Sequence, residues 1–158
     1  MTRAEYLSAV NEFFYQGEVL GEAVFACFAA LEGDPERRRK WVNCLQLETE
    51  TKARLRPFLA RLGLSVAQDD VRATVAELAQ SYASKSWRQH MADMIHITDQ
   101  YLEKFRAIEA SAPPEEREMA RSMIVHETAL NDFARRELAG DSAQSLDGIL
   151  QELRYPIR

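Results

Sequence analysis

The chain has 158 residues, the size of one ordinary domain, and its 46% hydrophobic and 28% charged content is that of a folded globular protein, which excludes intrinsic disorder for its bulk. A net charge of −5 with no basic stripe argues against nucleic acid as a partner. Two cysteines, Cys27 and Cys44, are too few for a disulfide scaffold. With no secretory signal in Met1–Glu5 and no apolar run near the roughly 20 residues that span a bilayer, the expectation is a cytoplasmic protein without membrane contact.

A capping box of Thr2 and Glu5 opens the first helical segment, which runs to about Glu32, with Gly33 placed to end it in the left-handed conformation. Its seam is Leu7, Val10, Phe14, Gly17, Gly21, Val24, Phe28 and Leu31. Phe13, Val19, Leu20 and Phe25 add a second apolar face that needs cover from elsewhere in the chain or from a second subunit, so a homodimer is one expectation. Asp34 as N-cap with Pro35 behind it starts the second segment, which runs to Leu62, stops at Gly63 and pairs with the first as an antiparallel hairpin. Residues 64–84 read as a connecting helix, with Asp69 and Asp70 ahead of Val71, Val75, Leu78 and Ala79.

The third segment, about Ser86 to Ala110, carries Trp87, Met91, Met94, Thr98, Tyr101, Phe105 and Ile108 at alternating spacings of four and three, which makes a seam of core positions, and Pro113 and Pro114 break it. The fourth, about Pro114 to Ala139, places Met123, Glu127, Leu130, Ala134 and Leu138 on one stripe and ends at Gly140. Ser142 to Arg154 adds a short C-terminal helix. The fold class is therefore all-α: a single domain over 1–158, a four-helix bundle whose connection between the second and third helices crosses the bundle's length.

Three carboxylates stand out against this frame. Glu18 adjoins Gly17 on the first seam, Glu48 shares the second with Leu45, Thr51, Leu55 and Leu62, and Glu127 lies on the fourth. Burying three ionised carboxylates together is prohibitive unless a cation or shared protons compensate, so their convergence points to a metal or acid/base site. The blander alternative pairs Glu48 with Lys52, leaves Glu18 and Glu22 at a solvated border and puts Glu127 on the rim. His126 lies about 100° round its helix from Glu127 and is the imidazole nearest the interior, whereas His90 and His96 share no face and read as surface or rim residues. The run Glu36-Arg37-Arg38-Arg39-Lys40 reads as solvated.

Glu18 with Phe25 seven residues on, Leu47-Glu48-Thr49-Glu50-Thr51 leading to Leu55, and His126-Glu127-Thr128-Ala129-Leu130 leading to Phe133 and Glu137-Leu138 resemble the ferritin-like superfamily of ferritins and rubrerythrins, over nearly the whole chain. The resemblance implies a bundle in which helices one and three each offer a glutamate, and helices two and four each a Glu-x-x-His pair, to two iron or manganese ions. Glu18, Glu48 and Glu127 take matching glutamate positions. Thr51 and Leu130 stand where the two histidines would be, and the carboxylate position of helix three falls near Met94. Three functional expectations follow. The leading one is an interior metal site of Glu18, Glu48, Glu127 and His126 binding iron, manganese or a small polar ligand, in a reduced relative of di-iron oxidoreductases. The second is a bundle with neither metal nor cofactor that acts in assembly or partner binding. The third is a cofactor-free acid/base enzyme with Glu127 and His126 as catalytic residues, in a pocket furnished by Thr51, Thr98, Tyr101, Met94 and Leu130.

Overall fold

At the N-terminus the Thr2 hydroxyl accepts from the Glu5 amide while the Glu5 carboxylate accepts from the Thr2 amide, so the capping box forms and starts α1 (Arg3–Ala9). The computed structural model describes residues 1–157 and is all-helical, with no strand among them. No helix among these residues is long and apolar enough to cross a membrane. Helix α1 does not continue evenly. It passes through a π-helical stretch (Val10–Tyr15) into α2 (Gln16–Leu31), and the Gln16 amide donates to the Asn11 carbonyl five residues back. One extra residue in that turn advances the register by roughly a quarter turn. Below it Tyr6, Val10 and Phe14 are buried, and above it Glu18 is buried while Gly17 is only half-buried.

Gly33 is not left-handed, contrary to expectation: the chain leaves α2 through an extended Glu32, and among the described residues only Gly63 and Gly140 adopt positive φ. The Glu32 carboxylate accepts from the Asp34 amide and bridges the turn, which removes the need for a glycine conformation there. Asp34 then caps α3 (Pro35–Arg61) by accepting from the Arg37 amide. The predicted connecting helix over 64–84 shortens to α4 (Arg72–Tyr82), because the stretch before it is tied to α2 through its backbone. Tyr15 donates to the Val66 carbonyl and Gln16 to the Ala67 carbonyl, while the Asp69 amide donates to Gln16.

A second capping box, Ser86 with Gln89, opens α5 (Trp87–Ser111). Helix α6 (Arg117–Ala139) starts a turn later than Pro114, and the expected terminal helix contracts to α7 (Asp147–Glu152). The pairs Phe25–Trp41 and Glu22–Lys52 make α2 and α3 antiparallel, as Asn131–Thr98 and Arg121–Glu109 do for α5 and α6. Trp41, near the start of α3, packs on Trp87 at the start of α5 with ring centroids 5.0 Å apart. Both helices therefore begin at one end, and residues 62–86 carry the chain back to it, with α4 packed on α2.

The apolar core falls into two halves. One is built around Trp41, Leu47, Met91, Leu130, Phe133 and Ile149, the other around Phe14, Leu55, Leu59, Phe105, Ile108 and Met123. Between them lies a buried polar layer: Glu18, Glu48, Thr51, Thr98, His126, Glu127 and Asn131.

Two sequence expectations about polar residues fail here. Lys40 is buried, not solvated, because it pairs with the equally buried carboxylate of Glu137 and donates to Ser142. His90 is also buried. Its ring stacks on Tyr82 at 4.3 Å and contacts Phe28, since α4 covers what the α5 seam alone leaves at the border. His96 is exposed, as expected.

Candidate metal centre

Glu18 reaches the interior from α2, Glu48 and Thr51 from α3, and His126 and Glu127 from α6. The blander reading of the three carboxylates is overturned: Glu18, Glu48 and Glu127 are 2%, 4% and 6% exposed, and Lys52 pairs with Glu22, not with Glu48. Glu22 also accepts from Thr49 at 2.8 Å, so the one buried lysine near the layer has its charge matched outside the cluster.

One ligand atom from each of Glu18, Glu48 and His126 lies within 4.8 Å of the others. His126 Nε2 is 3.2 Å from Glu18 Oε1 and 3.8 Å from Glu48 Oε1. Neither approach is aligned as a hydrogen bond, and both His126 Nε2 and Glu18 Oε2 are buried without a hydrogen-bond partner. Buried polar atoms are almost always satisfied, and two orphans within one cluster of ligand groups are the arrangement an ion resolves. On the other side of the ring, Nδ1 lies 3.1 Å from the Thr51 hydroxyl, which orients the imidazole so that Nε2 faces the carboxylates. The residue standing in a histidine's place thus positions the histidine contributed by α6.

Glycine makes the approach possible. A Cβ at Gly21 would lie 2.7 Å from Glu48 Cδ and 2.8 Å from its Oε2, so any side chain there would displace the carboxylate. At Gly17 a Cβ would meet only the edge of the Tyr101 ring, at 3.2 Å.

Burial dominates the electrostatics. It pushes Glu18 up to about 8, partly offset by the neighbouring Glu48 carboxyl and reinforced by Glu127. Glu48 is raised well above the carboxylate range by burial and by Glu18. Burial also pushes Glu127 up to about 8, with His126 opposing and Glu48 adding. Glu137 shows the contrast: burial would raise it too, but hydrogen bonds from Lys40 and Trp87 hold it below its ordinary value. Among these buried carboxylates, those of the polar layer lack a cation, and the one beside Lys40 has one.

Not every expected residue joins the cluster. Glu127 stands beside Glu18, Glu48 and His126 and lines the same cavity, but it is not within the mutual ligand distance of those three. Met94 occupies the α5 wall, and Asp93 and His96 line the outer part of the cavity. Asp99 is engaged with Arg135 at 3.0 Å and with Asn131 at 2.9 Å. Gly21 is the contributor that the sequence reading missed. Its position on the first seam was visible, but which carboxylate needed the space was not.

No family model matches this chain, and comparison with curated proteins and with solved structures returns no significant match. What the site does is therefore argued from its own geometry.

Proposed function

We propose that this chain is a four-helix bundle of the ferritin-like type, with residues 62–86 as its crossover, and that its polar layer holds one divalent metal ion between Glu18, Glu48 and His126. The observation that carries the reading is the pair of orphaned atoms, Glu18 Oε2 and His126 Nε2, in a cluster of ligand atoms within 4.8 Å of one another. Two carboxylates and one imidazole suit manganese or iron(II) better than zinc held by cysteine and histidine. The same donors do not fit the paired ion set of the resemblance, because Thr51 and Leu130 replace both Glu-x-x-His histidines and Met94 replaces the fourth glutamate. One ion is the reading that these residues support.

When bound, such an ion supplies Lewis-acid polarisation of a ligand oxygen. The protein's own groups divide the remaining work. Thr51 fixes the imidazole, Gly21 admits the Glu48 carboxylate, and the two apolar halves of the core flank the layer. Glu127, whose carboxyl holds its proton up to about pH 8 and lines the adjoining cavity, is placed to give a proton to a ligand there or to take one from it. That observation also supports the cofactor-free acid/base reading, with Glu127 as the acid.

Elemental analysis of protein purified without chelator, after growth with iron and manganese, tests the metal. About one equivalent is expected in the wild type and a small fraction of that in Glu48→Gln and His126→Ala. Less than a tenth of an equivalent in the wild type under both supplements would remove the metal and leave the acid/base reading.

A further inference from the structure

A cavity of about 350 Å³ lies between α2, α4, α5 and α6 and reaches the carboxylates. Its walls are mainly apolar: Leu20 and Val24 from α2, Leu78 from α4, Met94 and Ile97 from α5, and Leu130 from α6. The inner end has Glu18, Glu48 and Glu127, all buried, and the outer end has Lys85 and Asp93, which pair at 2.7 Å with side chains one-third and one-half exposed; Ser81, His90, His96, Thr98 and Tyr101 also line the cavity.

A water-filled role fits this lining poorly, since ordered water needs two to four polar partners at each site. A mainly apolar wall with buried polar groups at the inner end instead matches a ligand that is itself apolar along its length and polar at one end. At about 30 Å³ for each water-sized group, the space takes on the order of a dozen heavy atoms.

The hydrogen bonding of that terminus is restricted as well. Three carboxyl groups face it, and the buried Lys52 is paired with Glu22. A head that donates a hydrogen bond, such as an amine or a hydroxyl, would reach the unpartnered Glu18 Oε2.

We propose that this cavity binds an elongated aliphatic molecule of about ten to fourteen heavy atoms, with a hydrogen-bond-donating head seated at Glu18, Glu48 and Glu127. This deepens the metal reading by naming the ligand class of the same site. It rests on that reading only for what the head group meets when an ion is bound, because chain burial in the cavity is independent of metal.

The test uses n-alkylamines and n-alkan-1-ols of four, eight and twelve carbons, below their micellar concentrations. Each is titrated by calorimetry and by the emission of Trp41, which lines the cavity, into chelator-treated and into manganese-loaded protein. Saturable one-to-one binding is expected in the chelator-treated protein, tightening about fourfold per methylene. 1-Methoxyundecane, of equal length but with no proton to donate, should bind at least tenfold more weakly than dodecan-1-ol. Val24→Phe and Leu78→Phe fill the cavity without touching the carboxylates, and each should weaken dodecylamine at least tenfold while keeping the wild-type helical circular dichroism. Absence of saturation, equal affinity for the four- and twelve-carbon probes, 1-methoxyundecane binding as tightly as dodecan-1-ol, or wild-type affinity in both folded filling variants would overturn the proposal. Chain binding without manganese binding refutes the metal and leaves this inference standing. Manganese binding without chain binding does the reverse.

Discussion

Gly21→Ala adds one methyl group to α2 at the point where Glu48 presses closest. The new Cβ would lie 2.7 Å from Glu48 Cδ, against the 3.4 Å at which ordinary contact begins, so the carboxylate must retreat by about 0.7 Å. That exceeds the roughly 0.5 Å within which a binding constellation must be held, and Glu48 ceases to be a ligand in its present position. The fold should hardly notice. Alanine gains about 1 kcal/mol over glycine in a helix interior, and turning the Glu48 side chain off its preferred rotamer costs about as much. The expected outcome is a metal-free stability within about 1 kcal/mol of wild type, measured by urea unfolding, with manganese affinity reduced at least tenfold to a hundredfold in an equilibrium titration, the scale on which disturbed metal sites lose affinity. Gly17→Ala is the matched control, since its methyl meets only the edge of the Tyr101 ring. Wild-type manganese affinity in Gly21→Ala would refute the claim that Glu48, as positioned by this glycine, is a ligand.

Three further outcomes follow from the same geometry. Glu18 and Glu127 titrate near 8 in the folded chain and near 4.5 when unfolded, so between those values the folded chain holds protons that the unfolded chain has released. Their contribution is therefore fully present below about pH 4.5 and is lost as pH rises through about 8, so metal-free protein should lose several kcal/mol of stability between pH 5 and 8, and saturating manganese should flatten that slope. Urea midpoints across the range, with and without metal, check it. Thr51→Val removes the hydroxyl beside Nδ1 of His126 and should lower manganese affinity about tenfold with little change in the pH slope, read by titration at fixed pH. Lys40→Met leaves Glu137 buried and unpaired and should cost about 3–5 kcal/mol, and Lys40→Met with Glu137→Met should recover at least half of it, both measured by chemical unfolding.

Much of the backbone plan is legible in local chemistry. Thr2 with Glu5, Asp34 with Pro35, and Gly63 and Gly140 mark helix ends through interactions spanning at most a few residues, and those ends stand where the sequence puts them. The three glutamates could be placed inside because each falls on or beside the apolar seam of its helix. What could not be read depends on partners distant in the chain. The π-helical turn at Val10–Tyr15 carries no composition signal and sets which of Gly17 and Glu18 turns inward. Lys40 lies in a charged run, and only Glu137, 97 residues away, explains its burial. His90 is covered by Tyr82 on α4, a helix whose packing the α5 sequence does not record. Thr51 was noted as a missing histidine, yet its role beside His126 needed the crossing of α3 and α6 to be known.

The central claim is that Glu18, Glu48 and His126 hold one divalent ion, and anomalous diffraction from crystals grown with manganese tests it most directly. A single strong anomalous peak within about 2.0–2.3 Å of a carboxylate oxygen of Glu18, one of Glu48 and Nε2 of His126 is the expected result. Ordered side chains with no peak between them, or manganese only on surface carboxylates such as Asp69 and Asp70, would contradict it.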